Sequence, residues 1–297
     1  MMKNKTLTIV IIFILSIFAI ALTTFMVLLL TNKSKFINFR FGYKNLSDEL
    51  IVDESYDIDF DKISIEADAS DIEVNISDDE KFRIVIYADE DNTKVETTNN
   101  ELSVISLESP CVGFCFHRKL AKIEVYIPKN YENLIKIENK YGNISVAKFS
   151  NADIKIEENC GDVKVLGGKI VTINNDYGDI TLDYAKEARI EESAGDVKIG
   201  EVDEVIVTNN LGDIHINQVN HYLDANNDCG DIKIDNISLS KDSKIKDNLG
   251  DIKIKTSGDI YIDADTDLGK VKLNKRNKDS DVTLTIKNDC GDIIVDN

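Results

Sequence analysis

The sequence predicts an all-β protein. It reads as a parallel β-solenoid (β-helix-like, two short strands per coil of about 17–20 residues) with an N-terminal β-cap and one N-terminal transmembrane helix. Three observations lead there. A Gly-Asp turn recurs, as in NCGDVKV, NNLGDIHI and NDCGDIKI. Apolar and polar residues alternate on both sides of each turn, which is the two-residue period of a strand with one buried face. Proline is absent after Pro128, as expected where nearly every backbone N–H joins a ladder.

Taken in order, residues 1–35 form a tail and an apolar run. Residues 7–30, LTIVIIFILSIFAIALTTFMVLLL, are 24 residues without a charge, enough to span hydrocarbon with some tilt. A cleaved signal peptide is the rival reading, because Ala19-Ile20-Ala21 mimics a small-residue cleavage site. The run continues nine residues past Ala21, which favours an anchor, and no Cys follows closely enough for lipoprotein processing. Lys3 and Lys5 on one side and Lys33, Lys35 and Arg40 on the other divide the positive-inside signal. The short N-terminal tail favours a single-pass cell-membrane protein with its C-terminal domain outside.

After a linker over residues 36–54, residues 55–130 read as the β-cap. KISIEADASDIEVNI, residues 62–76, fits the repeat with Ser70 in the glycine slot and Ile63, Ile65, Ala69, Ile72 and Val74 inward. The segments at 82–87, 93–96 and 101–107 read as antiparallel strands, and AKIEVYIP at 121–128 leads into the repeats. Such a cap hides an otherwise open edge.

Residues 131–297 carry the repeats. Their turn glycines run from Gly142 to Gly291 at spacings of 19, 17, 17, 17, 18, 20, 19 and 22. With each Gly as position zero, positions −7, −5, −1, +2 and +4 are apolar or pack well, except at Ser243. Seventeen residues are too few for a strand-helix-strand unit. Each coil is therefore expected to stack on the last with its strands in parallel, so that Val163, Ile180 and Val197 pile into one column.

Charge limits the partners. Removing Lys3, Lys5, Lys33 and Lys35 leaves 31 basic against 54 acidic residues, a net charge of −23. That surface repels phosphate backbones and excludes nucleic acid.

The IEVYIPKN entry at residues 123–130, the spaced Ile-Lys-Ile strands and the recurring Gly-Asp-Ile/Val carry a family resemblance. Over about residues 55–297 the chain resembles the bacterial "putative adhesin" β-strand-repeat domain family, whose molecular function is unknown. The resemblance implies an extracytoplasmic domain tethered by an N-terminal helix, in some members linked to envelope-stress signalling. It supplies no catalytic residues.

Candidate chemistry is sparse. Cys160, Cys229 and Cys290 all occupy position −1 and read as small fillers of a packing column. Cys160 lies four coils from Cys229, and Cys229 three from Cys290, too far for disulfides. Cys111 and Cys115, in SPCVGFCFH, flank Gly113 in a loop and could close a disulfide outside the cell. With His117 they make an incomplete metal set. Position +1 is Asp at Asp162, Asp179, Asp196, Asp213, Asp231, Asp251 and Asp292. Adjacent carboxylates about 5 Å apart could bind Ca²⁺; alternatively each Asp hydrogen-bonds its own turn, with the +3 lysines relieving repulsion. His215 takes an outward +3 slot and reads as a surface residue. No nucleophile-base pair, phosphate loop or full metal set appears, and no cofactor is implied.

The last coil ends at Asn297 with no helix after it. Its strand, with Ile293, Ile294 and Val295, is expected to be an open edge that pairs with a protein partner or a second copy. The sequence thus points to a membrane-anchored, extracytoplasmic, non-catalytic binding or scaffold protein of the cell envelope. The alternative is a sensory or regulatory subunit of an envelope-stress response. A carbohydrate-active enzyme is a distant third, since such β-helices use broader coils and only Arg189 and Arg276 lie beyond residue 118.

Overall fold

The computed structural model describes residues 46–88, 93–107, 120–274 and 278–296, which belong to one compact unit. No helix occurs among the described residues, and the strands join a single sheet. The apolar run at 7–30 and the Cys111–Cys115 loop lie outside the described residues.

The N-terminal part holds β1 (Leu50–Tyr56), β2 (Lys62–Ala67), β3 (Ser70–Ile76), β4 (Phe82–Tyr87), β5 (Thr93–Thr98), β6 (Glu101–Ser106) and β7 (Ala121–Ile127). It is less antiparallel than its sequence suggests. β6 pairs in parallel with β2, and β7 in parallel with β3, so β6 and β7 form a further coil of the stack. Among the described residues of this part, only β5 on β6, and β4 on β7 and on β1, run antiparallel. An aromatic cluster closes this end: Phe60 meets Phe82 edge-on at 5.1 Å, and Phe82 meets Tyr131 at 5.8 Å.

The repeats begin with β8 (Leu134–Asn139) and β9 (Ile144–Val146) on either side of Gly142. β8 stacks on β2 and β9 on β3, in parallel. There follow β10 (Asp153–Cys160), β11 (Val163–Val165) and β12 (Gly168–Tyr177). In the middle of the stack the strand passes unbroken through the second corner of the coil. β13 (Ile180–Ala194), β14 (Val197–Leu211) and β15 (Ile214–Cys229) each run from one Gly turn to the next. Val163, Ile180, Val197 and Ile214 pair in succession and are buried in one column. β-Branched side chains suit such stacked, pleated surfaces. Positions −7, −5, +2 and +4 face the core, except in the terminal Gly269 coil, where Val271 is exposed; they are joined by an inward column at the second corner that includes Phe149, Ala185, Val202, Val219 and Ile237.

The C-terminal end departs from chain order. β16 (Ile232–Ile237), β17 (Ser243–Leu249) and β18 (Ile252–Thr256) continue the stack. The next strands in sequence, β19 (Tyr261–Leu268) and β20 (Val271–Leu273), do not pair with them. β21 (Thr283–Cys290) and β22 (Ile293–Asp296) come between: β21 pairs with both β17 and β19, and β22 with both β18 and β20. The chain skips one place, lays down the Gly269 coil, and returns to fill the gap with the Gly291 coil. This overturns the expected open edge at Ile293, Ile294 and Val295. Ile293 and Val295 are buried and hydrogen-bonded on both sides; the edge is β19 and β20. The first coil is treated alike, because β2–β3 lies between β6–β7 and β8–β9.

Candidate functional site

The repeated turn is the most distinctive feature, and its glycine is required by close approach. A Cβ on Gly195, whose φ is not positive, would lie 1.9 Å from the carbonyl oxygen of Gly178 in the coil below. Each turn rests on the next through its backbone: the Gly178 N–H donates to Ala194 O, and Gly195 N–H to Leu211 O.

The Asp after each glycine does not bond its own turn. Its Oδ1 accepts the backbone N–H of the equivalent residue one coil on. Asp179 N–H donates to Asp162 at 2.9 Å, Asp196 to Asp179 at 2.9 Å, Asp213 to Asp196 at 3.0 Å and Asp231 to Asp213 at 2.8 Å. The ladder continues through Asp251 and Asp292 to the N–H of Lys270. At the other end Asp71 holds Asn143, whose own Oδ1 holds Asp162 at 3.0 Å. The hydrogen bond from Asp292 N–H, helped by Lys253, keeps the Asp251 carboxyl below the usual range. These charge-assisted bonds fix the register of coil on coil. The +3 lysines sit as expected beside the acids, with Lys253 3.3 Å from Asp251 and Lys198 3.7 Å from Asp196. Among the described residues no cluster of three or more His, Cys, Asp or Glu is arranged to hold a metal ion.

A second ladder, which the sequence reading missed, runs inside the turn at position −3. Asn139, Glu158, Asn175, Glu192, Asn209, Asn227, Asp247 and Asn288 are all at most 3% exposed. The asparagine amides donate to glycine carbonyls: Asn209 to Gly195 O at 2.9 Å, Asn227 to Gly230 O at 2.8 Å, Asn288 to Gly250 O at 2.8 Å. The acids in this column are anomalous. Burial pushes the carboxyls of Glu158, Glu192 and Asp247 up to about 7. One oxygen of Glu192 accepts Ala194 N–H at 2.9 Å, while the buried Oε2 atoms of Glu158 and Glu192 have no partner. Parity was the signal available: −3 falls on the same strand face as −7 and −5.

Position −1 behaves in the opposite way. By parity it should be buried, and the sequence places the thiols in a packing column. The chain turns at the glycine and swings it outward. Tyr177 is 61% exposed, Leu211 57%, Leu249 53% and Leu268 71%. Cys160 and Cys229 are half-buried free thiols and Cys290 is an exposed one. Because of the altered coil order, only Leu249 separates Cys229 from Cys290, still about 10 Å at the strand spacing. His215 is half-buried and bonds Asp235 at 2.8 Å, alongside Lys233.

These features define an all-β domain of stacked coils tied together by side-chain ladders on both sides of a glycine turn. The Toastrack DUF4097 model matches residues 60–296, and the chain belongs to that family. It is also similar to solved structures of a "putative adhesin" from Bacteroides fragilis NCTC 9343 (18% identity, 84% of this chain and 98% of that one, TM-score 0.48) and a "putative adhesin" from Parabacteroides distasonis ATCC 8503 (14%, 84% and 98%, TM-score 0.39). A third, a "putative lipid binding protein" from Parabacteroides distasonis ATCC 8503, has 14% identity, the same coverage and a TM-score of 0.39. Comparison with curated proteins gives no match.

Proposed function

We propose that the protein is a non-catalytic, adhesin-like binding scaffold of the bacterial cell envelope, anchored by the apolar run at 7–30 with the acidic stack outside. One observation carries this reading. The acidic side chains that recur at the turn are engaged in holding coil to coil: the +1 carboxylates accept backbone N–H groups from Asn143 to Lys270. What the stack offers outward is a long periodic surface, and rigid repetition suits binding rather than bond-making. Membership in the Toastrack DUF4097 family supports this reading.

Two measurements test it. A membrane-impermeant maleimide should label the exposed Cys290 thiol on intact cells, and Cys290→Ser should reduce that signal, leaving the weaker labelling of the half-buried Cys160 and Cys229. Cells lacking the protein should attach less to surfaces. Labelling only after lysis would overturn the orientation. Unchanged attachment with an altered envelope-stress output would replace the scaffold by the sensory reading.

A further inference from the structure

The exposed −1 column has a pattern visible only in spatial order. Between Tyr141 at one end and Leu268 at the other, the register runs Cys160, Tyr177, Ala194, Leu211, then Cys229, Leu249, Cys290. Large side chains therefore stand on every second coil, separated by notches over Cys160, Ala194, Cys229 and Cys290. The pattern requires the Gly291 coil to precede the Gly269 coil. Acid is continuous on one flank, where the +1 carboxylates run unbroken from Asp162 to Asp292, and intermittent on the other, where Asp176, Asp228, Asp289 and Asp267 are exposed at −2 among Asn159, Ser193, Asn210 and Asn248.

We propose that this strip docks an extended basic segment of a partner protein, in polyproline-II conformation, with a large apolar side chain at every third residue. The inference rests on the scaffold reading above and supplies its partner chemistry. Period and symmetry select this occupant. Two coils span about 9.6 Å at the strand spacing, whereas a β-strand repeats a face every 6.7 Å or so. An α-helix returns after about 5.4 Å per turn, or roughly 10.5 Å per heptad. A polyproline-II helix repeats every three residues, about 9.3 Å, and stays nearly in step along the strip. Its three faces also match. When one residue in three enters a notch, the other two point sideways, over the +1 and −2 rows. Lys or Arg there meets carboxylate all along the +1 row and at the four −2 aspartates. A second copy of this chain brings the same acidic rows and is repelled. The preformed polyproline-II chain also loses little freedom on binding.

The test uses the full-length protein in detergent and a fluorescein-labelled (Leu-Lys-Pro)₄ peptide. That peptide is about 37 Å long, close to the roughly 38 Å from Tyr141 to Leu268 at one strand spacing per coil. The comparison peptide has the same composition with its leucines grouped. Fluorescence anisotropy at low ionic strength should show the periodic peptide binding at least about ten-fold more tightly. Leu211→Ser with Leu249→Ser should weaken it about ten-fold, and so should Asp196→Asn with Asp213→Asn and Asp231→Asn. The asparagines keep the ladder, since Asn143 already accepts the Asp162 N–H, so thermal melting should not move. Equal binding of both peptides, no binding of the periodic one, or indifference to the leucine variants would overturn the strip. Strip failure with normal cell attachment leaves the scaffold reading standing, and lost surface labelling with intact peptide binding does the reverse.

Discussion

The inner and outer ladders sit four residues apart on the same turn, and both bond a side chain to a backbone group: the outer from coil to coil, the inner from coil to coil at asparagines such as Asn209 and within the turn at Glu158 and Glu192. They differ in solvent. Outside, Asp251 accepts an N–H in water and its carboxyl is held low. Inside, Asp247 is fully buried and its carboxyl is pushed up to about 7. The same residue type shifts in opposite directions four positions apart, because desolvation dominates in one place and hydrogen bonding in the other. Asparagine suits the inner column better: its amide donates to a glycine carbonyl without a charge to desolvate.

Several perturbations should separate the two ladders. The largest removes a piece of both. Truncation after residue 282 deletes β21 and β22 from within the stack, leaving β19 and β20 without the strands they pair with. Leu284, Ile286, Ile293 and Val295 are buried, and their burial contributes on the order of 6–12 kcal/mol. Hydrogen exchange should then show protection lost from β17 to β20, whereas an open terminal edge would lose only its own strand. Next, Gly195→Ala drives a methyl into the Gly178 carbonyl and should cost more than about 3 kcal/mol in chemical denaturation. Gly167→Ala, whose nearest neighbour is a flexible Lys148 methylene at 3.0 Å, should cost under about 1 kcal/mol.

Asn209→Ala strips the donor from the Gly195 carbonyl inside the turn and should cost about 1–3 kcal/mol. Outside, Asp213→Asn retains an acceptor for Asp231 N–H and should stay within about 0.5 kcal/mol. Equal costs would mean that the two ladders share the load in a way their burial does not indicate.

A last contrast between the ladders is a pH dependence. Glu158, Glu192 and Asp247 have folded-state pKa values raised to about 7 from 4.5, 4.5 and 3.8. The folded protein therefore binds more protons than the unfolded chain between these values. Stability from these groups is complete below about pH 4 and declines as pH rises to about 7. Asp251, lowered from 3.8, acts in the opposite sense and loses its contribution only as pH falls below that value. Melting should thus improve on acidification from pH 8 to 5. Glu192→Gln should stabilise the protein at pH 8 by about 1–2 kcal/mol and flatten the slope, with little change at pH 5. No change in slope would place the Glu192 charge in solvent.

Much of this was legible in the residues. The spacing from Gly142 to Gly291 and the alternation around it specify a coil, and Val163, Ile180 and Val197 pile up as that pattern requires. Parity along a strand also marks the polar −3 residues as inward. It fails at −1, where Leu211 and Leu249 are swung out by a turn whose geometry depends on the Gly carbonyl beneath it. Strand pairing around β6 and β7 was obscured because their partners, β2 and β3, lie far away in sequence.

The sequence by itself determined the coil, its core columns and its acidic surface, because these follow from side chains at fixed offsets within about twenty residues. The tertiary structure alone decided which coil lies on which. Every coil presents nearly the same columns, so local pattern is satisfied by any order of stacking. Only the whole chain places the Gly291 coil beneath the Gly269 coil, buries Ile293 and Val295, and exposes β19 and β20 in their stead.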